Sequence, residues 1–270
     1  MTAQRRTEIA ELLTRHGLRP DKRLGQHFLA DPNIVGKIVR LAEVAPGDRV
    51  LEIGAGTGTL TMALADAGAS VVAYEVDSSL GPLLREVLAG RDVTLRIADA
   101  TRSDIAEDVT GGRWKLVANL PYNIGTPLLL DMLRDLTAVE SFTVMLQREV
   151  ADRLTAEPGS RTYGLPSVVA RLYGTVRFGF AVPPQVFIPP PDVGSAVIRI
   201  DRISPHPAAG RAESLAAAAF RMRRKMLRRS LEATLHDPVA TLESAGIEPT
   251  ARAEDLSASE YLRLAEVAGT

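Results

Sequence analysis

From about residue 5 to residue 17 apolar positions recur at helical spacing, which predicts a short amphipathic helix, and the polar turn RPDKRLGQHF follows it. The stretch DPNIVGKIVRLAEV opens with a helix-start signal, Asp31 as N-cap and Pro32 at the first helical position. The spacing then changes. Four apolar, β-rich runs (RVLEIGAG, SVVAYEVD, VTLRIADA and KLVANLPY) alternate with the spacers GTLTMALADAGA, SSLGPLLREVLAG and TRSDIAEDVTGGRW, each of crossover length. Runs of that kind, Val/Ile/Leu-rich and ending in Gly, Asp or Pro, predict a parallel sheet with helices on both faces. SFTVMLQ adds a fifth strand, and TVRFGFAV and SAVIRI a final pair. The expected fold is therefore α/β, with a seven-stranded, mostly parallel sheet and no internal repeat.

Near residue 204 the pattern changes again. SPHPAAG is a Pro- and Gly-bearing linker, and the chain beyond it is helical in pattern with no strand-like run. Within it, ESLAAAAFRMRRKMLRRSLEATL is expected to be one long helix. The division expected is 1–204 for the α/β domain and 205–270 for a small all-α domain.

Composition narrows the chemistry. The 270 residues are 46% hydrophobic and 24% charged, ordinary for a soluble globular chain. Cysteine is absent, which excludes disulfides, thiolate zinc sites and cysteine nucleophiles. The four His residues (His16, His27, His206 and His236) show no metal-ligand spacing, so no metal is expected. No apolar run reaches the length of a membrane span, and the charged start MTAQRRTEIAELL lacks a signal-peptide core, so a cytoplasmic protein is expected. The formal net charge of −1 speaks against a generally basic surface, but six of the nine residues from Arg221 to Arg229 are basic. If that segment is helical, Arg221, Lys225 and Arg228 form one stripe and Phe220, Leu227 and Leu231 another. Such a stripe is either a solvated face or a contact for an anionic partner.

The first strand–helix turn, LEIGAGTGTL, carries Gly54, Gly56 and Gly58. Glycines there let the backbone approach a ligand while the helix N-terminus points at it, although a tight turn without ligand would use them too. Glu75 ends the second strand about 20 residues further on, where one carboxylate suits two ribose hydroxyls. Asp99 ends the third strand. Ligands of open α/β sheets collect at the carboxyl edge, and all these residues lie there. The spacing Glu-x-Gly-x-Gly-x-Gly from Glu52 to Gly58 differs from the dinucleotide fingerprint and resembles motif I of S-adenosylmethionine-dependent methyltransferases.

Asn119-Leu120-Pro121-Tyr122 follows the fourth strand on the same edge. The exocyclic N6 of adenine is a poor nucleophile because its lone pair is delocalised into the ring. Accepting both N6–H bonds, at the Asn119 side-chain oxygen and the Leu120 carbonyl, would localise that pair. Pro121 stiffens the turn and Tyr122 offers a face for an extruded base. The tetrapeptide resembles motif IV of methyltransferases acting on planar amino groups.

The longer blocks RLGQHFLADPNIVGKIV, NLPYNIGTPLL, QREVADRLTAEPGSRTYGLPSVVARLY, VPPQVFIPPPDVGSAVIRI and AFRMRRKMLRRSL resemble those of the ribosomal RNA adenine N6-dimethyltransferases, the last three resembling the small-subunit branch. That resemblance implies a Rossmann-like class I methyltransferase fold, S-adenosylmethionine as cofactor and the small-subunit precursor or its rRNA as partner. A monomer is expected. It implies cofactor contacts at His27, Leu29, Gly54, Gly56, Gly58, Glu75, Asp99 and Asn119, and target-base handling at Asn119, Leu120, Pro121 and Tyr122. Phe187 is similar to the aromatic that packs on the other face of the adenine; the alternative is a core Phe beside a Pro-rich loop. Arg221, Arg224, Lys225 and Arg228 are the expected RNA contacts. Two departures stand out: His27 replaces the family's Asn, and Asp192 a Lys. Within the same family, a large-subunit resistance enzyme is the alternative; outside it, a ribosome-assembly factor with weak catalysis.

Overall fold

The computed structural model describes residues 3–122 and 124–269. In chain order the strands are β1 (Phe28–Leu29), β2 (Arg49–Ile53), β3 (Ser70–Glu75), β4 (Val93–Ile97), β5 (Trp114–Asn119), β6 (Val139–Gln147), β7 (Gly174–Val182), β8 (Phe187–Ile188) and β9 (Ser195–Arg202). The helices are α1 (Arg6–Arg15), α2 (Pro32–Leu41), α3 (Thr59–Asp66), α4 (Gly81–Val87), α5 (Ile105–Asp108), α6 (Gly125–Asp135), α7 (Arg148–Thr155), α8 (Leu165–Tyr173), α9 (Ala209–Arg221), α10 (Leu227–Ser230), α11 (Pro238–Ser244) and α12 (Ala258–Val267). Seven strands form one sheet in the order β4-β3-β2-β5-β6-β9-β7. Pairing is parallel from β4 through β6, and β9 runs antiparallel to β6. The expected seven-stranded, mostly parallel sheet is present.

Alternate residues of a strand face opposite sides of a sheet. In β2, Val50, Leu51, Glu52 and Ile53 are all buried, so both faces are covered. One face packs Val50, Val71, Ala73 and Val117 against Ile9 and Leu13 of α1, Ile34, Val35 and Ile38 of α2, and Leu83 and Leu84 of α4. The start of α2 follows its sequence signal: Asp31 accepts from the amides of Asn33 and Ile34 at 2.8 and 3.3 Å.

β2 is flanked by β3 on one side and β5 on the other, so the chain reverses its direction of travel across the sheet between β2 and β5. A crevice opens beyond the carboxyl ends of the strands at such a point. A second sheet escaped the sequence pattern. β1 and β8 form a two-residue antiparallel ladder pairing Phe28 with Ile188 and Leu29 with Phe187, and two residues are too few to show alternation.

Contacts divide the chain into two compact units, Met1–Ala151 with Arg177–Asp201, and Asp152–Val176 with Arg202–Thr270. The helical unit thus takes in α8, which lies before residue 204. There α9 packs on α8 and α12. The long helix expected from ESLAAAAFRMRRKMLRRSLEATL is corrected to α9, a break and the single turn α10. Met222 leaves helical geometry at φ −119° and ψ 44°, and Lys225 donates to the Met222 carbonyl. Met226 then bridges Arg252, and the Leu227 amide donates to Ala251, which sends Leu227 and Leu231 into the interior. Helical propensity alone favours continuation through this Arg/Lys/Met/Leu stretch; burial of those two leucines overrides it. Arg221, Lys225 and Arg228 therefore do not form one helical stripe.

Candidate active site

The chain leaves β2 at Ile53 and reaches α3 through Gly54, Gly56 and Gly58, at φ 82°, 57° and 81°. These are left-handed conformations that favour glycine. The amides of Gly54 and Ala55 both donate to the Tyr74 carbonyl, at 2.8 and 3.0 Å, which folds the loop back over the end of β3. The glycines serve different ends. A Cβ on Gly56 would lie 3.1 Å from the Phe28 ring, so the loop and the segment bearing β1 approach closely there. A Cβ on Gly58 would come within 2.9 Å of Val87 in α4, so this glycine lets α3 and α4 pack. Gly54 and Gly56 border the cavity above the loop, whereas Gly58 does not and its neighbours Thr57 and Thr59 do.

Two acids border the same cavity. Glu75 accepts from the Gly56 amide at 2.8 Å and from the Asp77 amide at 2.9 Å, and burial raises its pKa. Glu52 is 1% exposed; burial, and then the neighbouring Glu75, push its pKa up to about 8. Its Oε2 has no hydrogen-bond partner among the described residues. The sequence placed Glu52 in a motif without assigning it a role. The signal was present: an acid inside the apolar strand VLEI faces an interior. Asp99 stands in an adjoining lobe bordered by Leu24, Ile53, Gly54, Tyr74 and Val76. Hydrogen bonds from the Thr101 hydroxyl at 2.7 Å and amide at 2.9 Å lower its pKa. Leu24, Gly54, Val76 and Pro121 border both lobes, which makes them one cleft.

At the end of β5 the Asn119 amide nitrogen donates to the His27 carbonyl at 3.3 Å, leaving its oxygen as the acceptor still available. The Leu120 amide donates to Met145 at 3.1 Å, and the Pro121 carbonyl accepts from Gly125 at the start of α6 at 2.8 Å. The Leu120 carbonyl has no partner among the described residues. The Tyr122 hydroxyl bonds the Ser195 hydroxyl, and burial raises the phenol's pKa. Its ring stacks on His27, with centroids 5.7 Å apart and planes at 24°.

The segment from Leu24 to Leu29 walls the cavity. It is held by Gln26, which donates to Asp77 at 2.7 Å, by the His27 ring bonded to the Pro189 carbonyl at 2.8 Å, and by the β1–β8 ladder. Leu29 is buried in that ladder. Phe187 is also brought into it, but fully buried in the core and away from the cavity. The base-facing aromatic expected there is a core residue in this structure. Arg221, Arg224, Lys225 and Arg228 lie in the other unit, all exposed.

A glycine turn at the switch point, acids following the next strands and an Asn-Leu-Pro-Tyr turn after β5 define, together with the sheet order, a Rossmann-like methyltransferase. Residues 17–269 match the family described as ribosomal RNA adenine dimethylase, and the chain belongs to that family and is a methyltransferase. The Ribosomal RNA small subunit methyltransferase A of Phenylobacterium zucineum is 46% identical over 262 residues, covering 96% of this chain and 91% of that protein. The same-named protein of Magnetococcus marinus is 45% identical, with 95% of each chain covered. Among solved structures, the 23S rRNA methyltransferase ErmE is 28% identical with a TM-score of 0.72, covering 90% of this chain and 100% of that one. A dimethyladenosine transferase from Plasmodium falciparum shares the fold at a TM-score of 0.75 and 23% identity, over 88% of this chain and 96% of that one.

Proposed function

We propose that the cleft holds S-adenosylmethionine and that the protein dimethylates N6 of two adjacent adenosines near the 3′ end of 16S rRNA in a small-subunit precursor. The observation that carries this reading is the Asn119 side chain at the cavity wall: its nitrogen is tied to the His27 carbonyl, which leaves its oxygen as the acceptor, next in the chain to a Leu120 carbonyl with no partner among the described residues. Two acceptors and no strong base are what an aromatic amine needs from an enzyme that methylates it.

The cleft suits a cationic nucleoside. Glu52 and Glu75 are buried acids with raised pKa values, and a positive charge nearby would stabilise their ionised forms. Glu75 would accept from ribose hydroxyls, Asp99 from the adenine amine of the cofactor, and the Gly54–Gly56 backbone would lie along the ligand. His27 and Leu29 wall the cavity from above. The bound cofactor supplies an electrophilic sulfonium methyl. Asn119 and Leu120 accept the two N6–H bonds of the target base, which concentrates the lone pair on N6 and aims it; Pro121 holds the carbonyl's direction, and Tyr122 stacks on the base. The base must leave its stack to arrive there. Catalysis is positioning and electrostatics, which a neutral Asn serves. Residues 1–204 would carry the chemistry and 205–270 the RNA contacts through Arg221, Arg224, Lys225 and Arg228, in a cytoplasmic monomer.

The relatives named for the small subunit favour that target over the large subunit. Incubation with tritiated S-adenosylmethionine and purified subunits should label undermethylated 30S and not 50S particles. Asn119→Ala should lower kcat by roughly 100-fold or more, the scale for loss of a transition-state hydrogen-bond acceptor or donor, with little change in cofactor Kd. Labelling of 50S alone would move the target to the large subunit, and full activity in Asn119→Ala would remove the proposed chemistry.

A further inference from the structure

We infer that Glu52 stands as a neutral acid in the free protein and gives its proton to solvent when a positive charge of the cofactor arrives beside it, so that loading the cleft exchanges a proton for a cation. This exchange rests on the functional reading above and deepens it. Glu52 lies in β2 on the face it shares with Val50, in register with Ala73 of β3, and is 1% exposed. It borders the cavity, yet its Oε2 has no hydrogen-bond partner among the described residues. A carboxylate there would be a buried charge with an unsatisfied oxygen, which a carboxyl avoids by keeping its proton. Glu75 borders the same cavity in another condition: it accepts from the amides of Gly56 and Asp77 at 2.8 and 2.9 Å, and such donors favour the charged form. Where two acids are neighbours, the one held by N–H donors keeps the charge and the other keeps the proton.

The surroundings of Glu52 do not compensate a negative charge. Among the described residues bordering the cavity there is no Lys or Arg, and the titratable groups besides the two acids are His27 and Tyr122. The His27 ring is bonded to the Pro189 carbonyl at 2.8 Å and the Tyr122 hydroxyl to that of Ser195. The N-terminal segment reaches the loop through a neutral side chain: Gln4 donates to the Thr57 carbonyl at 3.0 Å and accepts from the Thr59 hydroxyl at 2.6 Å. Arg6, further along, donates to the carbonyls of Gln185 and Phe187 instead. The helices on the Val50 face present Ile9, Leu13, Val35 and Leu83. Glu75 is the charge that acts on Glu52, and it acts against ionisation.

A cationic cofactor supplies what the protein lacks there. S-adenosylmethionine carries a sulfonium and an α-ammonium; S-adenosylhomocysteine keeps the ammonium, and 5′-deoxy-5′-methylthioadenosine keeps neither. Either charge beside Glu52 favours the carboxylate. The carboxyl O–H bond then breaks with its electron pair left on oxygen, the proton passes to the buffer, and a carboxylate–cation pair replaces the neutral acid. Because binding expels a proton, cofactor affinity rises with pH up to about 8, where the free acid ionises by itself. An uncharged adenine nucleoside gains nothing from the exchange, which makes Glu52 a determinant of selectivity for the charged cofactor.

Calorimetry in buffers of different ionisation enthalpy counts the protons released on binding, and infrared difference spectra show whether a protonated carboxyl disappears. At pH 7 wild type should release about one proton per S-adenosylmethionine and lose a carboxylic acid band, and Kd should fall by up to about tenfold per pH unit from pH 6 to pH 8. Release with S-adenosylhomocysteine as well assigns the ammonium as the cation; release with S-adenosylmethionine alone assigns the sulfonium. Methylthioadenosine should release none, and Glu52→Gln should lack both the release and the band. Binding of the charged ligands without release, equal release with methylthioadenosine, or release that persists in Glu52→Gln overturns the exchange and leaves the functional reading standing. If Glu52→Gln does not fold, Glu75→Gln decides: release at saturating S-adenosylmethionine supports Glu52 as the source, and its loss overturns it. Wild type that binds neither S-adenosylmethionine nor S-adenosylhomocysteine overturns both.

Discussion

Among single residues, Glu52 shows how far placement can shift an ordinary side chain. Its folded pKa of about 8 lies above its usual 4.5, because burial strips water from the carboxylate. Between those two values the folded chain holds a proton that the unfolded chain has released, so stability falls as pH rises through that window and levels off above it. The slope approaches about 1.4 kcal/mol per pH unit at most. Glu52→Gln should flatten it: urea midpoints of the variant should gain on wild type from pH 5 to pH 8, and parallel curves would refute the assignment. Residue-level expectation fared unevenly for physical reasons. Asn119, Glu75 and Gly56 face one cavity because strand ends and a glycine turn are local features. Gly58 and Phe187 turned away because α4 and the β1–β8 ladder, distant in sequence, claimed them.

At the scale of elements, the signals that worked were short-range. Asp31 and Pro32 open α2, and the Asp31 carboxylate caps two amides. Asp31→Ala should cost about 1 kcal/mol and lower Tm by a few degrees, roughly 2–4 °C. The neighbouring Asp31→Asn, which can still cap, should lose less; equal losses would show that the charge and not the cap matters. Elements decided by tertiary pairing were not legible. β1 and β8 exist only because Phe28 and Leu29 meet Phe187 and Ile188 across more than 150 residues. The end of α9 at Arg221 is set by the Met226–Arg252 bridge and by the burial of Leu227 and Leu231, and nothing in the local run RMRRKMLRR announces it.

For the whole molecule, the basic segment keeps its proposed task despite losing its helical stripe. Arg221, Arg224, Lys225 and Arg228 are exposed, whereas Arg223 pairs with Glu254 and Arg229 with Glu232. The reversal Arg224→Glu with Lys225→Glu should weaken RNA binding across sequences and reduce the slope of log Kd against log salt by about 1 per lost phosphate contact. An unchanged slope would refute the phosphate role. The alternation of strands and crossovers, the glycine turn, the acids after the strands and the Asn-Leu-Pro-Tyr turn were determined by the sequence itself, because periodicity, caps and turns are governed by neighbours within a few residues. Only the tertiary structure decided that Glu52 is stripped of water, that Phe187 lies in the core, that His27 stacks on Tyr122 and that the basic run breaks. Each of those depends on which distant segment fills the space beside a side chain, and desolvation and packing act through that space.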